Sequence, residues 1–354
     1  MKNILVTGVG GPTPRSFVRA VKKFGGDEAS KYRFIGVDCN SLAYGLYDNS
    51  LFATSYVVPR ADDDRYWNKI NEIIDQEKIE AAIVLPEVEV LEWAKSSEKI
   101  KSEIKVHLPD YTLANTLVNK HRLHEILGET SWVPKFRKVD PGQYNFKKLS
   151  DEVGDEFWIR STEGSSGLGS LKIESESSLA QWISINGGVK EFIATEYLPG
   201  RNMACKMLYF DGKLARTACA ERVNYIMAKV APSGITGNTS FGRLINEPGL
   251  VEISEQTLDY ISKEAGSELN GIFTVDFKED TNGVPKITEI NIRHVAFTSS
   301  FAAGGANLPM DTLTYLFSGS LTPERVDYTY EKGLIFLRDV DSLPLVMNEN
   351  DLLG

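Results

Sequence analysis

Cysteine and histidine are scarce in this chain: three of the first and four of the second among 354 residues. Cys39, Cys205 and Cys219 fall at no metal-like spacing, and an odd number fits no disulfide framework. His107, His121, His124 and His294 form no triad. Basic residues are also in deficit, 39 Lys and Arg against 49 Asp and Glu, for a net charge of −10. That excludes the basic footprint of a nucleic-acid binder, though not a local basic pocket for an anion. No apolar run approaches the roughly 18–20 residues of a membrane span. The opening "MKNILVTGVGG" reads as a strand and a glycine turn rather than a signal peptide. Internal repeats and low-complexity linkers are missing too. The expectation is a reduced, soluble, cytoplasmic protein with no nucleic-acid or membrane partner. Its hydrophobic fraction of 42% is enough for a true core.

What is present begins with alternating apolar strands and helices. "NILVTGVGG" is a buried strand, "TPRSFVRAVKKFG" a helix with Phe17, Val18 and Val21 on one face, and "YRFIGVDCN" a second strand. "YWNKINEIIDQEKI" is a helix and "EAAIVLPE" a third buried strand. This order implies a right-handed parallel α/β unit over about the first 110 residues. The pattern then changes. "TLANTLVNKHRLHEILGET" reads as one amphipathic helix, followed by strands at "EFWIRS", "SLKIES", "EFIATEYL", "MACKMLYFDGKLARTACAERV", "IFTVDFKED" and "VPKITEINI". Helices at "ISEQTLDYISKEAGSEL" and "NLPMDTLTYLFSG" and a tail carrying "GLIFLRDV" complete it. Runs of strands with separate helices read as α+β.

Two glycine-rich stretches invite a nucleotide reading. In "GVGGPTPR" the third glycine of a dinucleotide fingerprint is missing and two prolines stand where the helix should open on a pyrophosphate. The glycines then make a tight turn only, and Asp38 ends the second strand without a dinucleotide to bind. "STEGSSGLGS" is small and polar, and lies between strands rather than before a helix. It is either a long hairpin loop or a flap whose backbone N–H groups close over phosphates. Arg160, just before it, supplies a fixed cation for the second alternative.

The strongest feature is an acidic hairpin, "GIFTVDFKEDTNGVPKITEINIR". Asn282-Gly283 predicts a two-residue turn. Counting outward from it pairs Asp276 with Glu289 and Thr274 with Asn291. Side chains two apart share a strand face, so Glu289, Asn291 and Arg293 line one side. Two carboxylates directly opposite should repel. A divalent cation between them would remove the conflict, and Asp, Glu and Asn oxygens suit Mg²⁺ beside nucleotide phosphates. The alternative is a solvated acidic face on an edge hairpin.

These residues carry a resemblance. "TVDF…TEINIR" resembles the Asp/Glu…Glu-x-Asn-x-Arg motif of the ATP-grasp superfamily, in particular the branch of the carbamoyl-phosphate synthetase large subunit. "VTGVGG", "IGVD" and "YVVPRADDDRYWNKINEII" resemble its Rossmann-like pre-ATP-grasp domain. "VNKHRLHEIL" resembles its Asp-Lys helix, with Asn119 for Asp, and "FWIRSTEGSSGLGS" its phosphate flap. "IATEYLPGRN" resembles the adenine hinge and "SGITGNTSFG" a loop near the acyl phosphate. The resemblance implies a Rossmann-like domain at 1–112 followed by a two-lobed ATP-grasp fold, with lobes at 113–192 and 193–354. It implies ATP bound by Lys120, Arg160, Ser165, Ser166, Gly167, Thr195, Glu196, Tyr197, Leu198 and Asn202. Mg²⁺ or Mn²⁺ would lie on Asp276, Glu289 and Asn291, and Arg293 would act as the catalytic clamp.

The implied activity is ADP-forming ligation of a small-molecule carboxylate to an amine through an acyl phosphate, by a homodimer. Glu87 or Glu89, at the carboxyl end of the third strand, would take an ammonium group, and Arg222 and Arg293 a carboxylate. Three alternatives stand beside it: a carboxyphosphate former, disfavoured by a single ATP-grasp unit and by a His missing from "SGITGNTSFG"; a catalytically reduced nucleotide-binding module; and, last, a nicotinamide oxidoreductase.

Overall fold

A computed structural model describes residues 1–162, 170–339, 345–348 and 350, and the structural statements below concern those residues. The first sheet is parallel, in the order β3-β2-β1-β4-β5. It is built from β1 (Lys2–Thr7), α1 (Pro12–Phe24), β2 (Tyr32–Asp38), β3 (Thr54–Val57), α2 (Tyr66–Glu77), β4 (Ala81–Ile83), α3 (Glu87–Lys95) and β5 (Lys105–Val106). β1 is apolar on consecutive residues because both of its faces are covered, as in the centre of a parallel sheet. Sequence reading finds three of these five strands. β3 is a half-buried edge and β5 has two residues, so neither carries an apolar run. It also misses α3, which puts Glu87 in a first helical turn rather than in a loop. The strand order reverses between β1 and β4, and the crevice at their carboxyl ends is the position where such sheets hold ligands.

The predicted long helix is two, α4 (Tyr111–Val118) and α5 (Lys120–Leu127). Asn119 breaks it: its backbone is extended, and its side chain accepts the Arg122 N–H at 2.9 Å, capping α5. Lys120 thereby becomes the first residue of α5, tied by its N–H to the Thr162 carbonyl at 3.0 Å.

A small antiparallel sheet follows, order β6-β9-β7-β8, with two helices on it. Its elements are β6 (Phe136–Val139), α6 (Phe146–Val153), β7 (Phe157–Ser161), β8 (Leu171–Ile173), α7 (Glu176–Ile185) and β9 (Phe192–Glu196). β9 pairs with β7 along its whole length. The lobe boundary drawn at residue 192 therefore moves to the far end of that strand.

The large sheet runs β14-β13-β10-β11-β12-β16-β17, with β15 beside β11. Its strands are β10 (Asn202–Phe210), β11 (Lys213–Tyr225), β12 (Thr239–Ile245), β13 (Gly271–Glu279), β14 (Pro285–Asn291), β15 (Val326–Asp327), β16 (Leu334–Leu337) and β17 (Leu345–Asn348). The apolar stretch read as a tail is β16, paired to β12. α8 (Pro248–Ala265) packs on the outer face, while α9 (Thr298–Ala303) and α10 (Leu308–Ser318) cover the inner one. Leu313 and Leu316 of α10 complete the core beneath α1, which fixes the first domain to the last. No helix among the described residues is long and apolar enough to cross a membrane.

Candidate active site

The β13–β14 hairpin pairs Asp276 with Glu289 and Thr274 with Asn291, as counted from the sequence, but by a different route. The turn is not two residues long. The Asp280 N–H donates to the Val284 carbonyl at 2.9 Å and Gly283 is left-handed (φ 77°), so three residues form the loop. Near the turn Phe277 therefore faces Ile287, one out of the counted register. A β-bulge at Thr288 absorbs the extra residue and restores the pairing beyond it. The bulge also re-aims groups. The Thr288 carbonyl accepts Arg160 Nη2 at 3.2 Å, and its hydroxyl donates to the Asp276 carbonyl at 3.1 Å. β14 ends at Asn291, so Arg293 lies just past the strand.

Cations surround the carboxylate pair. Lys120 Nζ is 3.8 Å from Glu289 Oε2, and Arg222 Nη1 is 3.5 Å from Asp276 Oδ1. Arg222 is held by Thr239 Oγ1 at 3.1 Å and the Gly237 carbonyl at 3.0 Å. Burial, against the pull of Arg222 and with the push of Glu289, raises the Asp276 pKa to about 7. Burial acts against the charge of Glu289 as well, but Lys120, Arg160 and Arg222 outweigh it and hold that carboxyl below its ordinary range. The pair thus keeps one charge easily and the second with difficulty, as expected of close carboxylates.

Two cavities meet at this pair. One, of about 220 Å³, lies between the small sheet and the large one. Lys120, Arg160, Thr195, Glu196, Tyr197, Leu198 and Asn202 line it, beside Asp276 and Glu289. Tyr197 and Leu198 are the first residues past β9, where the backbone leaves the ladder. Ser165, Ser166 and Gly167 lie outside the described residues. Sequence reading missed Lys278, which lines the same cavity and donates to the Gly200 carbonyl at 3.0 Å. Its signal was available: Lys278 follows Asp276 by two and so shares its face.

The second cavity, of about 400 Å³, lies between the large sheet and the crevice of the first domain. Glu87, Asn291 and Arg293 line it, and Lys120, Arg222, Asp276 and Glu289 border both cavities. Arg293 Nη1 donates to the His294 carbonyl at 3.0 Å, while its buried Nε has no hydrogen-bond partner among the described residues. Glu89 is elsewhere. It is buried, accepts the Tyr66 hydroxyl at 2.6 Å, and burial pushes its pKa up to about 7, so it is not a surface ammonium receptor. His294 is packed edge-on against Phe17 and kept neutral by burial. Asp38 accepts the Gly10 N–H at 2.8 Å and the Asn40 N–H at 2.9 Å. That carboxylate braces the glycine turn, which accounts for the turn without a dinucleotide.

The donor set fits a hard divalent cation. Asp276 Oδ1 is buried without a hydrogen bond among the described residues, and the Asn291 amide donates to Asp276 Oδ2 at 3.0 Å, leaving its carbonyl oxygen to ligate. No group of three or more His, Cys, Asp or Glu side chains is placed to hold a metal among the described residues, so any ion here shares its shell with the amide and with its ligand.

In sequence the chain matches no family model and no curated protein. In structure it is similar to N5-carboxyaminoimidazole synthetase from Staphylococcus aureus complexed with ADP. The TM-score is 0.67 at 16% identity, over 95% of this chain and 82% of that one. It is similar to L-amino acid ligase from Bacillus licheniformis, with a TM-score of 0.65 at 14% identity over 95% and 79% of the two chains. It is also similar to phosphoribosylamine–glycine ligase from Thermotoga maritima, with a TM-score of 0.67 at 13% identity over 95% and 79%.

Proposed function

We propose, on the ATP-grasp fold that this chain shares with those ligases, that it is an ADP-forming ligase joining a small-molecule carboxylate to an amine. The observation that carries this reading is the junction. Asp276, Glu289, Lys120 and Arg222 border both cavities, so a phosphate in one and a carboxylate in the other would meet there. Bringing two anions together requires fixed cations, and the junction has them on both sides.

In this reading ATP occupies the cavity beneath the small sheet, its base against Thr195–Leu198 and its ribose toward Asn202. Lys120 and Arg160 orient the phosphates. Asp276, Glu289 and the Asn291 carbonyl would hold Mg²⁺ or Mn²⁺, which neutralises phosphate oxygens when bound. Arg293 holds the substrate carboxylate in line with the γ-phosphorus. A carboxylate oxygen attacks that phosphorus and ADP departs. The amine nitrogen then attacks the acyl carbon, inorganic phosphate departs, and the nitrogen loses its proton to solvent. Arg222 stabilises the charge developing at the junction.

The test is ADP release measured over pairs of carboxylates and amines, with Glu289→Ala as the blank. Release that depends on an acid and is absent from Glu289→Ala supports the ligase. Arg293→Ala is expected to lower kcat by on the order of 10²–10³ while MgATP still binds. No release with any pair, from a protein that binds MgATP by calorimetry, would leave a nucleotide-binding module instead.

A further inference from the structure

Resting on the ligase reading, we infer that the cavity against the first domain takes an α-amino acid with an apolar side chain, and that this amino acid supplies the carboxylate that is activated. The chemistry of the walls carries the inference. Away from the junction, the charged groups lining this cavity are Glu87 and Arg293, of opposite sign. The remaining wall combines apolar side chains, Leu85, Val88, Leu117, Val118, Val295 and Phe297 among them, with the glycine turn and the polar Thr13, Asn238 and Asn291. Its volume of about 400 Å³ is within the range of small-molecule sites.

The apolar part of that wall is stiff. Leu85, Leu117 and Phe297 are at most 2% exposed and belong to the hydrophobic cores. Phe297 is stacked on Phe301 and Phe336, with ring centroids 5.5 and 5.9 Å away. The Phe297 ring already carries the Arg222 guanidinium 5.5 Å from its centroid; on the aliphatic part of the wall a charged side chain would lose its water, whereas an apolar one is favoured.

The two charged residues set the polarity of the ligand. Arg293 is pinned by the His294 carbonyl and keeps a buried Nε–H without an acceptor among the described residues, which suits a planar carboxylate. Past the end of β14 it still lines this cavity together with Asn291 and Glu289, so a carboxylate on it lies toward the junction where phosphoryl transfer would occur. Glu87, in the first turn of α3, lines the same cavity from the parallel sheet's side, and its carboxylate suits an ammonium group. An amine held there as an ammonium is not a nucleophile. The amino acid therefore gives its carboxylate, and the amine that is acylated belongs to a second molecule.

Hydroxylamine separates the two half-reactions. Its nitrogen attacks the acyl phosphate, phosphate leaves, and a hydroxamate forms that ferric ion colours. Leucine, methionine and phenylalanine are expected to give hydroxamate with kcat/KM at least about tenfold above aspartate, glutamate and lysine. Leucine should also exceed 4-methylpentanoate, which lacks the amine, and Glu87→Gln should narrow that difference. Val88→Asp, at a residue 66% exposed and outside the core, should lower turnover of leucine while calorimetry still finds MgATP bound. Hydroxamate formed best from the charged amino acids, or equally from all, overturns this inference and leaves the ligase reading standing. So does an unchanged leucine preference in Glu87→Gln. Bound MgATP with no ADP released by any acid overturns the ligase reading, and this inference with it.

Discussion

At the scale of single residues, the site holds a conflict that the fold alone does not resolve. Asp276 is 4% exposed, directly opposite Glu289, and its Oδ1 accepts no hydrogen bond among the described residues. Natural sites keep such conflicts where a ligand relieves them. Asp276→Asn removes one of the opposing charges and is expected to raise the melting temperature of the metal-free protein by a few degrees while abolishing binding of MgATP. A melting temperature that falls, with binding intact, would show that the pair is structural. The same carboxyl sets a pH dependence. Its pKa, raised to about 7, means that the carboxylate form is populated above neutrality and lost below it. A cation needs the carboxylate form, so MgATP affinity is expected to weaken as pH falls through 7 to 6, by up to about tenfold for one proton per pH unit. On folding the sign is reversed. A carboxyl that is harder to ionise in the folded chain favours folding less as pH rises from its unfolded value toward 7. The metal-free protein should therefore melt lower, and bind better, at the upper end of that interval. Calorimetry and thermal melts between pH 6 and 8 check both halves.

At the scale of elements, two irregularities place the charges. The first is the break at Asn119. Asn119→Ala removes the cap of α5 and is expected to cost about 1 kcal/mol and to raise KM for ATP, because Lys120 is the next residue. Asn119→Asp should keep both near wild type, since either side chain accepts the Arg122 N–H. The second is the bulge. Ile287 and Ile290 share the outer, buried face of β14 and Ile292, just past its end, joins the same core; the step of three between the first two marks an inserted residue. That signal is in the sequence, and the two-residue turn hides it: the miscounted turn and the missed bulge cancel at Asp276. Deleting Thr288 should leave a regular strand with the same face outward. The expected outcome is a folded protein in which Arg160 has lost its carbonyl and ATP binds more weakly. An insoluble or register-shifted protein would count against this account. The hairpin with its carboxylate pair and the parallel unit were legible because they depend on local periodicity and side-chain chemistry, whereas the candidate nucleotide residues came through the resemblance. β3 and β5 were not, because short or edge strands take their structure from their neighbours. Lys278 was passed over because a lysine beside apolar strand residues reads as an outward charge until a cavity is known to lie there.

At the scale of the whole molecule, no sheet makes the site alone. The small sheet brings Arg160, the large one Asp276, Glu289 and Arg222, and the first domain brings Glu87 across the second cavity. Sequence periodicity contains nothing about which sheet faces which, so this convergence was reachable only through the resemblance. It depends on how the first domain is fastened, and the fastening is remote in sequence. Leu313 of α10 is fully buried against Phe17, Val18 and Val21 of α1 and the face of β1 and β4. Ser16 joins the start of α9, accepting the Ser299 N–H at 2.8 Å and donating to its hydroxyl at 2.9 Å. Asn307 donates to the Ala20 carbonyl at 3.0 Å. On the other face, α4 covers Trp93 and Val90 of α3 and continues into the core beneath the large sheet. One face of the first sheet, and a helix that covers the other, are thus packed by later parts of the chain. Each fully buried leucine contributes roughly 1.5–3 kcal/mol, and a domain is stable by only about 5–15 kcal/mol, so losing α4 and α10 together removes a large share. A fragment ending at residue 110 is therefore expected not to fold alone, although its α/β pattern is regular. It should melt without a cooperative transition and bind a dye for exposed apolar surface, whereas the intact chain shows one transition that includes the first domain. A fragment with a sharp melt and native helical signal would mean that the first domain is an independent module, free to move as the two cavities open and close.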